Sequence, residues 1–222
     1  MENFKNIKFI YFDLIGVLVE KNSIEKETMA GIIGISKEVF IKEYIRYIKE
    51  HKDEKRLIKD IESEKLFFEE LFKEVCKNVG RAYNKEFINV LIHLETHKDF
   101  KLTDNVKLVL SILQEKYKLG LLSNAYPSRR VAILDKQKLS DFFNVIILSS
   151  EAGYMKPDLN IYKYAISQSE VMPSQILFID DNIKMLEGAK SAGIENLILF
   201  SKKDAQFRNI QKFKELLEIL PV

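Results

Sequence analysis

Residues 176–194, ILFIDDNIKMLEGAKSAGI, decide how this chain folds. Ile176 to Asp180 is a short β-branched and aromatic run of strand length. Two carboxylates follow, Asp180 and Asp181, and from about Asn182 the spacing turns helical until Gly193, a residue suited to a helix stop. Asn196 to Phe200 is again strand-like. A strand, a helix and a second strand in so short a stretch form a β–α–β unit, and such strands lie parallel.

The same reading extends outward. Ile7 to Asp13 (IKFIYFD), Leu119 to Ser123 and Val145 to Leu148 bring the strand candidates to five. From Thr103, a candidate N-cap, strands alternate with helical patterns; Gly120 reads as another helix stop, and Asp204 to Leu220 as a closing amphipathic helix. The alternation predicts an α/β fold with a doubly wound parallel sheet. Between residues 22 and 100 no strand pattern appears. Phe40, Tyr44, Tyr47 and Ile48, then Leu66 to Val79, then Phe87 to Leu94 keep helical spacing. We therefore expect a core of residues 1–20 and 101–222 and an all-helical insert of residues 21–100, with polar hinges at Glu20 to Ser23 and Lys98 to Leu102.

Composition narrows the function classes. With 46% apolar residues and a formal net charge of +2, the chain is neither a disordered tail nor a coat for nucleic acid. Its apolar runs fall short of the roughly 20 residues of a membrane span. The N-terminal MENFKNIKFIYFD lacks the pattern of a secretory signal, so a cytoplasmic protein is expected. Cys76 is the sole cysteine, and Phe72, Val75 and Val79 around it make it a core thiol. The insert carries 16 Lys/Arg against 16 Asp/Glu and has no electrostatic bias.

In an open parallel sheet, ligands bind beyond the carboxyl ends of the strands. There this chain collects Asp13, Ser123, Asn124, Asp180 and Asp181, with Lys156 in the turn EAGYMKPD. Carboxylates gathered in one place repel unless a cation lies between them, and hard oxygen ligands suit Mg²⁺. The cation attracts a phosphate, which Ser123, backbone N–H groups and Lys156 can hold. One aspartate could then attack phosphorus.

These residues resemble the haloacid dehalogenase superfamily of phosphatases, phosphomutases and dehalogenases, over essentially the whole chain. FDLIGVLV resembles its first motif, LLSNA its second, GYMKPDLNIY its third and FIDDNIKMLEGAKSAGI its fourth. The resemblance implies a Rossmann-like core with a helical cap inserted after the first motif. It implies Asp13 as nucleophile, Lys156 as catalytic partner, and Ser123, Asn124 and Lys156 as phosphate ligands. Magnesium would be held by Asp13, Asp180, Asp181 and the backbone carbonyl of Ile15. Phosphatases of the family usually carry a second aspartate where this chain has Ile15, which cannot transfer a proton. Met185 also stands where similar sequences often have asparagine, implying altered hydrogen bonding there.

The expected activity is magnesium-dependent hydrolysis of a small phosphorylated metabolite through an aspartyl-phosphate, weak on poor leaving groups; neither nucleic acid nor membrane is an expected partner. The alternatives are a family member that binds a phosphorylated ligand or protein without turnover, and a 2-haloacid dehalogenase, which also lacks the second aspartate. Asp13, Asp180 and Asp181 taken singly would read as strand-end and helix caps. His93 and His97 share helical spacing, but HLETH is not HExxH and reads as exposed surface. Phe67, Phe68, Phe72, Tyr83 and Phe87 read as core of the insert, and Arg129 and Arg130 as solvated.

Overall fold

The computed structural model describes residues 4, 6–21, 24–55, 58–201 and 207–221. The chain forms two compact units. One comprises Met1–Lys21, Lys101–Ala125 and Gln137–Val222, and the other Asn22–Phe100 with Tyr126–Lys136.

The first unit is α/β. Its strands are β1 (Phe9–Phe12), β2 (Lys118–Ser123), β3 (Val145–Leu148), β4 (Ile176–Asp180), β5 (Asn196–Phe200) and β6 (Asn209–Ile210). All are parallel, in the order β3-β2-β1-β4-β5-β6. Their apolar runs are continuous because helices cover both faces of such a sheet. Phe9 and Tyr11 of β1 pack with Tyr162, Phe178 and Leu186 on one face, while Phe12 meets Phe213 on the other, ring centroids 5.6 Å apart. Strand order reverses between β1 and β4, the switch point where ligands bind in open α/β sheets. Asp180 ends β4, and Asp13 directly follows β1.

Several local expectations need correction. Gly120 ends no helix: it lies in β2, where an added Cβ would strike the rings of Phe9 and Tyr11 from the neighbouring strand. The helix Val106–Leu113 is preceded by Asn105, in the left-handed region at φ 65°, and Thr103 offers only its carbonyl, to Val106 N at 3.2 Å. The closing segment is not one helix. Residues 204–206 lie outside the described ones; Asn209–Ile210 pairs with β5, and a 3-10 turn Phe213–Glu215 leads into the helix Leu216–Ile219. Pairing with a sheet edge and burial of Ile210, Phe213, Leu216 and Leu220 override the helical periodicity there.

The second unit is helical: Ile24–Ile33, Lys37–Glu50, Ile61–Asn78 and Lys85–Thr96 are its longer helices. Ile61–Asn78 starts at a reciprocal cap, Ser63 N donating to Asp60 Oδ1 at 2.8 Å and Asp60 N to Ser63 Oγ at 3.2 Å. Its residues Phe67, Phe68, Leu71, Phe72, Val75 and Cys76 recur at helical spacing and enter the core as a stripe. Phe87 packs against that core, but Tyr83, expected inside, is 44% exposed in the connection between two helices. The core expected over all of 101–222 loses Tyr126–Lys136, whose Ser128 and Arg129 are bound within the helical unit. Of the two predicted hinges, Asn22 and Ser23 lie outside the described residues; on the α/β side, Glu20 N donates to Lys101 O at 2.9 Å. No helix among the described residues is long and apolar enough to cross a membrane.

Candidate active site and metal centre

Asp13 directly follows β1, and its N–H donates to Ile179 O of β4 at 2.9 Å, which carries the sheet pairing one residue past the strand. The next residues fold back at once: Leu18 N and Val19 N both donate to Leu14 O, and Gly16 adopts φ +101°. Glycine is required at that turn, because a Cβ on it would collide with the Asp181 carboxylate.

The site residues of the α/β unit converge. Asp13 Oδ1 accepts from Ser123 Oγ at 2.9 Å and from Lys156 Nζ at 2.8 Å; Lys156 Nζ also donates to Asp180 Oδ2 at 2.6 Å. Asp13, Ser123, Lys156 and Asp180 are all buried. Lys156 is aimed there by Asn124, whose Oδ1 accepts from Lys156 N and whose Nδ2 donates to Lys156 O, both at 2.8 Å. This clasp joins the end of β2 to the segment after β3. It occupies both ends of the Asn124 amide, expected as a phosphate ligand, on the lysine backbone. Asp180 Oδ1 meanwhile accepts from Asn182 N at 2.9 Å, ahead of the helix Ile183–Ser191, which Asn182 caps.

Burial disfavours the charge on Asp180, and the nearby Asp13 carboxylate adds to this; Lys156 opposes both, and the group is still pushed up to about 7. Burial acts against the Lys156 ammonium too, but Asp13 and Asp180 outweigh it and hold its pKa above the ordinary lysine value. The lysine therefore stays charged at neutral pH.

Asp181 completes the group. Asp13, Asp180 and Asp181 each offer an oxygen, all within 4.8 Å of one another, and they are the one such cluster of three among the described residues. Three hard anionic oxygens at that spacing, two of them on buried residues, fit a divalent cation. Ile15 is half-buried in the turn beside them and bridges to Val19. Met185 enters a hydrogen bond through its carbonyl, which accepts from Tyr162 Oη at 2.7 Å.

Two features were not foreseen. Lys21 forms an ion pair with Asp181, which nothing in the motifs signals. Arg129, expected in solvent, is 4% exposed: its guanidinium donates to Glu95 Oε1 at 2.7 Å and Glu95 O at 2.9 Å. Lys98 Nζ reaches the same Oε1 at 2.7 Å, and Glu64 accepts from Ser128 N and Oγ. Buried Glu64 and Glu95, on otherwise apolar helix faces, were the signal that these charges needed partners. His93 and His97 stack with centroids 4.2 Å apart, both exposed, and belong to no three-ligand cluster among the described residues.

Residues 7–193 match the sequence profile of the haloacid dehalogenase-like hydrolases. A glyceraldehyde 3-phosphate phosphatase of Pyrococcus furiosus is 23% identical over 239 residues, covering 97% of this chain and 94% of its own. Among solved structures, a dehalogenase with an intermediate complex superposes with TM-score 0.73 at 19% identity over 97% of both chains. A magnesium-bound HAD-hydrolase from Bacillus subtilis gives TM-score 0.68 at 18% identity, over 98% of this chain and 100% of that one. At those identities the structural likeness concerns the fold.

Proposed function

Because the chain belongs to the haloacid dehalogenase-like hydrolase family, we propose that it is a magnesium-dependent phosphohydrolase acting through an aspartyl-phosphate on Asp13. The observation that carries this reading is the buried Lys156 ammonium shared between Asp13 and Asp180, with Ser123 on the same Asp13 oxygen. The named activity of the Pyrococcus relative supports a small phosphorylated metabolite as substrate.

In this reading an Asp13 carboxylate oxygen attacks phosphorus, the bond to the leaving oxygen breaks, and the phosphoryl group passes to Asp13. Lys156 and the Ser123 hydroxyl offset the charge on the phosphoryl oxygens and hold the carboxylate in line. Water then attacks the same phosphorus, breaking the bond to Asp13 and releasing phosphate. Magnesium, held by Asp13, Asp180, Asp181 and the Ile15 carbonyl, would supply the positive charge that lets a dianion approach these carboxylates. The Ile15 side chain has no proton to give, so the leaving oxygen takes its proton from solvent, and leaving groups of low pKa are favoured. Proton transfer of this kind is typically worth about 10²–10⁴ in rate. The helical unit is, on this reading, the cap that selects the substrate.

The test is hydrolysis of an aryl phosphate with and without magnesium, in wild type and Asp13→Asn. Magnesium-dependent turnover in wild type, lost by about 10⁴-fold in the variant, is expected. A folded, magnesium-binding wild type without turnover would overturn the reading in favour of a phosphate-binding protein.

A further inference from the structure

Beyond Asp181 the carboxyl end of the sheet opens into a groove of about 1000 Å³ lying entirely within the α/β unit. Gly16, Asp181 and Phe200 bring to it the ends of β1, β4 and β5, and Gln211 to Lys214 the segment after β6. A phosphate monoester alone needs a small fraction of that space, and sites of this size hold whole metabolites. Asp181 belongs to both the groove and the carboxylate cluster, so the two adjoin.

The charges on its walls are unevenly matched. Glu20 is paired with Lys101 at 2.7 Å and Asp181 with Lys21, which leaves exposed Asp104 as the one wall carboxylate without an ion pair among the described residues. Lys212 and Lys214 have no ion-pair partner among the described residues. Between them stands Phe213, 1% exposed and packed on Phe12 and Phe200, so the two lysines are carried by an anchored turn rather than a loose one. Two lysines on a fixed turn, against the single unpaired carboxylate Asp104, leave these walls with an excess of positive charge that suits an anion.

We propose that this groove is a subsite for a second anionic group, a phosphate or carboxylate, and that the substrates are small phosphorylated compounds carrying such a group. The inference rests on the phosphohydrolase reading and narrows its substrate class. Lys212 and Lys214 act here on binding and take no part in the bond changes at Asp13.

Isothermal titration of the full chain with magnesium tests it. The probes are a graded series of α,ω-alkanediol bisphosphates, the matching ω-carboxyalkyl phosphates and the simple alkyl phosphates. At least one doubly anionic series should bind about tenfold more tightly than its simple alkyl partner, and which series does so identifies the second group. Lys212→Gln/Lys214→Gln should remove that advantage and leave alkyl phosphate affinity unchanged, each single variant carrying part of the effect. Doubly anionic probes that bind no better than simple ones, or an advantage that survives in the variants, would overturn the proposal. Failure of the wild type to turn over an aryl phosphate would instead strike the phosphohydrolase reading, and leaves the titration as it stands.

Discussion

In the α/β unit, Asp13, Asp180 and Asp181 stand against Lys156 and Lys21; in the helical unit, Glu64 and Glu95 stand against Arg129 and Lys98. The two clusters use the same chemistry in different arrangements. In the helical one Glu64 and Glu95 take hydrogen bonds from Ser128, Arg129 and Lys98, Glu25 acts on Lys98 as well, and Ser128 and Arg129, residues of the Tyr126–Lys136 segment, are fixed onto buried helix faces. The α/β one has three carboxylates, and one of its two cations, Lys21, has a side chain 65% exposed, where an ion pair is screened. Burial, with the Asp13 carboxylate adding to it, raises the pKa of Asp180 despite Lys156. A buried cluster whose carboxylates are taken up by Ser128, Arg129 and Lys98 holds a fold together, whereas three carboxylate oxygens within 4.8 Å of one another can recruit a cation and then a phosphate.

Replacing the central lysine is the severest way to break this contrast. Lys156→Met leaves Asp13 and Asp180 to repel each other in a buried place. Aryl phosphate turnover should fall by about 10³-fold, and the metal-free protein should lose about 3 kcal/mol of stability. Magnesium should raise the melting temperature more in this variant than in wild type; an equal rise would show that the carboxylates do not share the cation's charge.

Arg129→Leu attacks the helical cluster. Lys98 remains on Glu95, so the loss should lie near about 3 kcal/mol, the low end for a broken buried pair, read by denaturant unfolding. Aryl phosphate kcat should stay within about twofold, since a structural cluster supports no bond change. A large fall in kcat in folded protein would erase the distinction between the two regions.

Ile15→Asp sharpens it from the chemical side. Alkyl phosphate hydrolysis should rise by about 10²-fold while aryl phosphate hydrolysis changes little, because only the poor leaving group needs the proton. Unchanged alkyl phosphate rates would remove Ile15 as the cause of leaving-group preference.

The smallest effect concerns Glu64, whose pKa burial raises despite the hydrogen bonds from Ser128. The unfolded carboxyl loses its proton near pH 4.5, so above that pH the native state binds more protons than the unfolded one. Stability from this group therefore falls as pH rises from about 4.5 through its raised native value, and is level beyond. Melting curves of Glu64→Gln across that range should show a shallower fall than wild type; parallel curves would contradict the assignment.

The sheet and the site were legible because their signals are local. Five of the six described strands are short apolar runs, and the polar residues that end β1, β2 and β4 announce the site. Asn209–Ile210 was not legible, since two residues become a strand only by pairing with β5. Arg129 was misread for a similar reason: nothing beside it in sequence marks Glu95, 34 residues earlier, as its partner. The Asn124 clasp likewise depends on Lys156, 32 residues away, and emerges only when the ends of β2 and β3 lie side by side.

The most direct measurement of the central claim is to quench the wild-type protein in acid during aryl phosphate turnover with magnesium and map any covalent phosphate by mass spectrometry. Slow release, expected where Ile15 offers no base, should let one phosphoryl group per chain accumulate on the peptide carrying Asp13, and none on Asp13→Asn. Turnover with no adduct, or an adduct on another residue, would contradict the account.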